Sequence, residues 1–126
     1  MKPEKIALLL LLVMLTASVG NLILLKKSVA ILTDLTESIE EDAHAGDWDR
    51  MRENAREAGS LWEKRLRLFQ LTLRHSETAE VTQLFADLEA SIEGKNSDEA
   101  SRSAAQIRGI LTELLRLEEP RLSTVF

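Results

Sequence analysis

The chain opens with an apolar run, which is the strongest pattern in the sequence. None of the 20 positions from Ile6 to Leu25 carries a charge, and lysines stand on both sides of the run. A helix of ~20 apolar residues is long enough to cross the ~30 Å hydrocarbon core of a bilayer. The run therefore predicts a transmembrane helix over residues 6–25, preceded by a short tail of residues 1–5.

A cleaved secretory signal is the alternative interpretation of the same run. The basic start and the apolar stretch fit such a signal, and Ser18 and Gly20 are small residues that fit a cut before Asn21. However, the apolar run resumes directly after that point as LILLKK and reaches spanning length. We therefore favour an uncleaved anchor, while cleavage would release a secreted bundle.

The orientation of the span is less strongly marked. Two lysines precede the run and two follow it, so the positive-inside rule barely discriminates between the two topologies. A short basic N-terminal tail usually stays in the cytoplasm. We expect a single-pass protein of the cell membrane, with residues 1–5 inside and the C-terminal domain outside the cytoplasm.

Beyond the span, apolar residues recur at three- and four-residue steps, the spacing of one face of a helix. Four helices are predicted, with boundaries at residues that end or cap helices: Gly46 and Asp47, His75 and Ser76, Gly94 and Asn96, and Pro120. The fold class is therefore all-α. The N-terminal transmembrane helix continues into an antiparallel four-helix bundle over residues 26–119, and residues 120–126 form a tail.

Large apolar side chains on the second and third helices are the expected core anchors. They are Trp48, Trp62, Phe69 and Phe85. Aromatic side chains supply the largest burial in a small bundle. The alternative for the tryptophans is that one of them caps a groove and stacks on a ligand.

Two segments of the chain are similar to each other in sequence. ILTDLTESIE at residues 31–40 and LFADLEASIE at residues 84–93 share Asp-Leu and Ser-Ile-Glu. This internal similarity indicates either a duplicated helical hairpin or chance similarity in a chain rich in leucine and glutamate.

Charge is distributed unevenly along the chain. The net charge is −5 overall but −8 over residues 28–126, which is a poor match to nucleic acid. In an up-down-up-down bundle, basic residues gather at the membrane end: Lys26, Lys27, Lys64, Arg65, Arg67, Arg74, Arg116 and Arg121. Acidic residues, among them Glu40 and Asp42, gather at the far end. This polarity serves either solubility and the helix dipoles or contact of the basic end with anionic lipid head groups.

Three residues inside the run suit contact between membrane helices. Thr16 and Gly20 form a pair of small residues four positions apart, and Asn21 is able to hydrogen-bond across helices. This face predicts association with another subunit or with a second copy of the chain.

His75 and Glu77 are the nearest approach to a metal or acid–base pair. At positions i and i+2 of a helix they do not share a face, and the other histidine, His44, lies at the opposite end of the predicted bundle. His75 capping the end of the second helix is the favoured interpretation. There is no cysteine, and no motif of a hydrolase, a phosphate loop or a zinc protease is present. We therefore expect no enzyme and no catalytic, cofactor-binding or metal-binding residues.

Several of these features together resemble the bacterial family called domain of unknown function 4363, over nearly the whole chain. They are the basic start and span, Ser38-Ile39-Glu40 before Gly46-Asp47-Trp48, the later Trp62, and His75 with Glu77 opening the third helix. Family members typically end in Asn-Ile-Phe, whereas this chain ends in Thr124-Val125-Phe126. The resemblance implies a small membrane-anchored helical protein without an assigned activity. Because such genes often lie beside one for a multi-pass membrane protein of another uncharacterised family, it also implies a membrane-protein partner.

The sequence therefore favours an accessory or scaffold protein that engages a membrane partner or a second copy through its span and bundle. The alternative is an extracytoplasmic four-helix bundle that senses a ligand. Such a sensor would need a partner to transmit its signal, because only residues 1–5 would lie in the cytoplasm.

Overall fold

The computed structural model describes the backbone of residues 2–125 and the side chains of residues 2–71 and 73–113. In this part of the chain, five helices follow one another. They are α1 (Pro3–Ala45), α2 (Trp48–Lys64), α3 (Leu66–Thr72), α4 (His75–Glu93) and α5 (Ser97–Val125). The predicted all-α fold is confirmed.

Helix α1 is a single helix of 43 residues that contains both the apolar run and the first helix of the bundle. Pro3 stands at its start, where a missing N–H and a fixed φ cost nothing. At its end Gly46 has φ 72°, a left-handed conformation that favours glycine. The Asp47 N–H bonds to the Asp42 carbonyl at 3.0 Å, and the Asp47 carboxylate accepts from the Arg50 N–H at 3.2 Å. The predicted stop and cap are both confirmed.

The second half of α1 packs with α2, α4 and α5 in an up-down-up-down bundle. Helix α1 contacts α2 and α5, and α4 contacts α5 and, less closely, α2. Each helix turns an apolar stripe inward, with Leu32 and Ile39 from α1, Met51 from α2 and Leu88 from α4 all buried. Helix α5 contributes small and medium residues from Ala100 to Leu111. Burial of these stripes, each too apolar for a solvated helix, is what holds the four elements together.

The predicted second helix is wrong in one respect, because it is divided at Arg65. Arg65 has φ −102° and ψ 8°, outside the α-helical range, and α3 begins at the next residue. The apolar stripe continues across this break, with Trp62 before it and Phe69 after it both buried. Neither glycine nor proline marks the position, so the periodic pattern carries no signal of the division.

The boundary before α4 also differs from the prediction of a Ser76 cap. Helix α4 begins at His75, and Arg74, in an extended conformation, precedes it without a side-chain cap. Backbone bonds replace that cap, since the N–H groups of Glu77 and Thr78 bond to the Arg74 carbonyl at 3.0 and 3.1 Å. His75 is therefore the first residue of α4 and does not cap the helix before it.

The turn between α4 and α5 confirms two predicted boundaries. Helix α4 ends just before Gly94, and the Asn96 side chain accepts from the Glu99 N–H at 3.2 Å at the start of α5. The left-handed residue in this turn is Lys95, with φ 54°, while Gly94 keeps a right-handed conformation.

Helix α5 does not end before Pro120 as predicted, since its backbone is helical to Val125. A proline inside a helix removes one backbone donor and bends the axis, but it does not oblige the helix to stop. The surrounding sequence is rich in leucine, glutamate and arginine, all strong helix formers.

Candidate membrane anchor and interaction surfaces

The first half of α1 is an apolar rod without protein around it. Its leucines, valines and methionine are exposed on every side of the helix, and only 6% of its most apolar window of 18 residues is buried. This is the one helix of the described chain that is long and apolar enough to cross a membrane. A soluble monomer rarely exposes a contiguous apolar surface of this extent, which makes this half of α1 a candidate membrane span.

The apolar rod and the bundle meet without a linker. Leu25, the last residue of the apolar run, is already buried in the core, together with Ser28 and Val29 one turn later. Leu22 and Leu24 are half-buried. Because α1 is continuous through this point, the bundle begins where the apolar run ends.

Thr16, Gly20 and Asn21 lie on the uncovered part of α1, and all three are exposed. The Thr16 hydroxyl donates to the Leu12 carbonyl at 2.8 Å, so its polarity is satisfied within the helix. A Cβ added at Gly20 would meet no atom within 4 Å. The face is therefore accessible to another helix, and the close approach that glycine permits is unused within this chain.

The predicted basic residues that the structure describes are exposed, with one exception. Lys26, Lys27, Lys64, Arg67 and Arg74 are exposed, whereas Arg65 at the α2–α3 break is half-buried. The Arg65 Nε is buried and has no hydrogen-bond partner among the described residues. The side chains of Arg116 and Arg121 lie outside the described residues.

Three of the four predicted aromatic anchors form one cluster in the core. The Trp62 ring lies 4.6 Å from Phe69 and 6.1 Å from Phe85, measured between ring centroids. The Trp62 indole N–H donates to the Thr82 hydroxyl at 3.0 Å, which satisfies its polar atom. The fourth, Trp48, is half-buried against the edge of the core. The cluster joins α2, α3 and α4 across the break at Arg65.

An open groove runs between α2 and α4, and Trp62, one of the two tryptophans for which the sequence left a groove open as an alternative, lines part of it. Its floor and walls are formed by small residues and the edge of the aromatic cluster: Gly59, Ser60, Trp62, Thr82, Phe85 and Ala86. Charged residues of both signs, Arg56, Glu63 and Glu89, stand at its rim. The small residues on the two facing helices are the sequence signal for this groove.

Two of the acidic residues predicted to gather at the far end are engaged in contacts between helices. Asp42 is buried, accepts from the Asn54 amide at 2.9 Å and lies 3.9 Å from Arg50. The Glu40 carboxylate forms a bidentate ion pair with the guanidinium of Arg108 on α5, in which Arg108 Nη2 donates to Glu40 Oε1 at 3.3 Å. The hydrogen bond with Glu40 raises the pKa of the Arg108 guanidinium above its ordinary value. These contacts hold the far end of α1 to α2 and α5.

The family model described as domain of unknown function (DUF4363) matches residues 21–125. The chain belongs to the DUF4363 family. No curated protein and no solved structure matches it. The match begins within the apolar run at Asn21, so the assignment of residues 1–20 rests on their own hydrophobic pattern.

His75 and Glu77, which this DUF4363 protein has at the start of α4, are not brought together with other polar ligands. His75 is exposed, Glu77 is half-buried, and His44 lies in the last turn of α1 at the opposite end of the bundle. Within the described residues, no three side chains among His, Cys, Asp and Glu converge on a position suited to a metal ion. The polar chemistry of the pair is local to the first turn of α4.

Proposed function

We propose that this DUF4363 protein is a non-enzymatic, single-pass membrane protein that acts as an accessory or scaffold subunit. Its uncleaved span engages a multi-pass membrane protein or a second copy of the chain, and its bundle is held outside the cytoplasm against the membrane surface. The observation that carries the proposal is the continuity of α1, whose apolar half is uncovered and whose other half is part of the bundle core.

The same continuity supports an uncleaved N-terminus. Helix α1 has no interruption between Ser18 and Asn21, the position of the alternative cut. Signal peptidase requires small residues in an accessible segment after a short apolar region. Here the apolar region passes through the cut position and ends only at Leu25, inside the bundle core.

Association of the span is the step that an experiment can test directly. The full-length protein is crosslinked in native membranes and purified, and its intact mass and its partners are read in the same sample. We expect a chain that retains its N-terminus and recovers a membrane protein or a second copy. Replacing Thr16, Gly20 and Asn21 together with leucine should abolish this recovery, because bulk at Gly20 prevents close helix approach.

A matched control separates helix contact from general disturbance of the span. Leu15 is exposed and lies at least about 100° around the helix axis from each of the three residues, so Leu15→Ala should leave the recovery unchanged. Unchanged recovery with the triple variant would contradict the proposed association. A chain that begins at Asn21 would contradict the anchor itself.

Ligand sensing is a second candidate, favoured by the groove between α2 and α4. Binding there would bridge two helices and stabilise the bundle by mass action. A thermal-shift screen of small metabolites measures this stabilisation. A hit that Ser60→Leu removes would support sensing, and a screen without any hit would weigh against it.

A further inference from the structure

Leu71 on α3 is an unusually exposed leucine. Among the side chains described after α1, Leu71 is the one large hydrophobic residue left exposed. Its exposed fraction is 81%, above the highest value in the apolar run of α1, which is 68%. Single exposed leucines are common on protein surfaces, so the position of Leu71 decides its meaning.

The packing of α3 fixes the direction in which Leu71 points. Phe69 within α3 and Leu73, the extended residue that directly follows α3, are both buried in the core. Leu71 is two residues after Phe69 in the helix, and residues two apart on a helix do not share a face. Helix α3 is thus held by Phe69 and Leu73, and it presents Leu71 away from the bundle.

The position of α3 along α1 follows from the antiparallel course of α2. Near the end of α2, Leu61 and Lys64 line the same shallow depression as Ile31 of α1. Helix α3 continues from there and also contacts α1. Because α2 runs back along α1, α3 lies beside the part of α1 before Ile31, next to the end of the apolar run.

A bilayer around the apolar run would reach this end of the bundle. The run ends at Leu25, which is buried in the core, and Leu22 and Leu24 are already half-buried. No linker separates the span from the bundle, so the bundle cannot stand away from the membrane surface. With the apolar run in a bilayer, α3 would lie at the level where the hydrocarbon core gives way to head groups.

The charges around Leu71 match that level. Arg67 and Arg74 on either side of it are exposed, as are Lys64 and the pair Lys26 and Lys27 on α1. An apolar side chain flanked by cations is the pattern of an interfacial membrane contact, with the apolar group in the acyl boundary and the cations at anionic head groups.

We propose that α3 is a second membrane contact, in which Leu71 enters the head-group boundary and Arg67 and Arg74 bind anionic phospholipid. The inference rests on the proposed span through α1 and adds to it a fixed orientation of the bundle. A rod alone leaves the bundle free to rotate about the axis of α1, whereas a contact off that axis holds the α3 side towards the lipid.

The chain has no cysteine, so single cysteines carry an environment-sensitive nitrobenzoxadiazole probe without background. The full-length protein is labelled at Leu71→Cys, at Leu10→Cys within the span, or at Ala45→Cys at the far end of α1. Each form is reconstituted into phosphatidylcholine vesicles with and without phosphatidylglycerol. Quenching by lipids spin-labelled at the head group or along the acyl chain reports depth, and circular dichroism confirms folding.

We expect deep quenching at position 10, shallow quenching with a blue shift at position 71, and neither at position 45. The blue shift at position 71 should be larger with phosphatidylglycerol, and Arg67→Gln with Arg74→Gln should reduce this dependence. Lipid quenching at position 10 without quenching at position 71 would overturn the second contact and leave the span intact. An equal shift in both lipids would overturn the anionic preference, and the absence of quenching at position 10 would overturn the span and the inference with it.

Discussion

The two halves of α1 are one continuous helix in two different surroundings. In the first half apolar side chains cover the whole circumference, and they are exposed in the folded chain. In the second half they form a single stripe, with Val29, Leu32 and Ile39 buried and charged residues on the outer side. The helical backbone is the same in both halves, but the apolar surface differs in its distribution.

The comparison shows that the distribution of apolar residues around a helix indicates the environment of that helix as well as its presence. A single stripe needs one packed face, which the other helices of the bundle supply. A helix that is apolar all round needs an apolar environment on every side, which a lipid bilayer supplies to an isolated helix. The boundary between the two distributions falls at Leu25, which ends the apolar run and is buried in the core.

Arginine in the first half should have the largest effect. Leu12→Arg with Leu15→Arg places two charges in the middle of the apolar run, and the expected loss is about 5–7 kcal/mol of insertion free energy. Extraction of membranes at alkaline pH should then release the protein into the soluble fraction. The matched control is Ala30→Arg with Ile31→Arg, two exposed positions in the second half, where retention should persist. Retention of both variants would contradict a span.

The same leucine-to-alanine change should have opposite consequences in the two halves. Leu32 is fully buried, so Leu32→Ala should lower the free energy of unfolding by about 2–5 kcal/mol. Leu10→Ala, at a side chain 59% exposed, should change it by less than ~0.5 kcal/mol. Denaturant unfolding in detergent micelles, followed by tryptophan fluorescence, measures this because Trp48 and Trp62 both lie in the bundle. Equal losses would show that the apolar half also packs against protein.

The sequence predicted those features of the bundle that depend on local pattern. The end of α1 at Gly46, the Asp47 and Asn96 caps and the burial of Trp62 each follow from residue type and spacing. The order of the four main helices and their up-down course follow from short turns. Such features are local, and therefore a single sequence contains the information for them.

The features that the sequence analysis missed depend on distant contacts. The break at Arg65 is invisible in the periodic pattern, since Trp62 and Phe69 stay on the same stripe on either side of it. The pairing of Glu40 with Arg108 joins residues 68 positions apart, and no local rule selects one arginine of α5 over another. Exposure of Leu71 likewise results from the way Phe69 and Leu73 anchor α3.

The Glu40–Arg108 pair tests how firmly the second half of α1 is held to α5. Both side chains are mostly buried, with exposed fractions of 22% and 27%. Arg108→Met should lower the free energy of unfolding by about 1–3 kcal/mol, because Glu40 would keep part of its burial without a charged donor. Arg102→Met, which removes the exposed pair with Glu99, should cost less than ~1 kcal/mol. Similar losses, measured by denaturant unfolding, would show that the buried pair adds nothing beyond a surface contact.

The smallest effects are expected at the two turns that connect α1 with α2 and α4 with α5. Gly46, which ends α1, has φ 72°, whereas the equivalent left-handed position after α4 is occupied by Lys95 with φ 54°. A side chain in this conformation costs roughly 1–2 kcal/mol. Glycine avoids this cost, but its greater conformational entropy in the unfolded chain offsets part of the gain in stability. Lys95→Gly should therefore raise the free energy of unfolding by up to ~1 kcal/mol, while Gly46→Ala should lower it by about 1 kcal/mol. Destabilisation of the bundle by Lys95→Gly in thermal unfolding would contradict this expectation. It would mean that contacts of the lysine side chain offset the backbone strain at this turn.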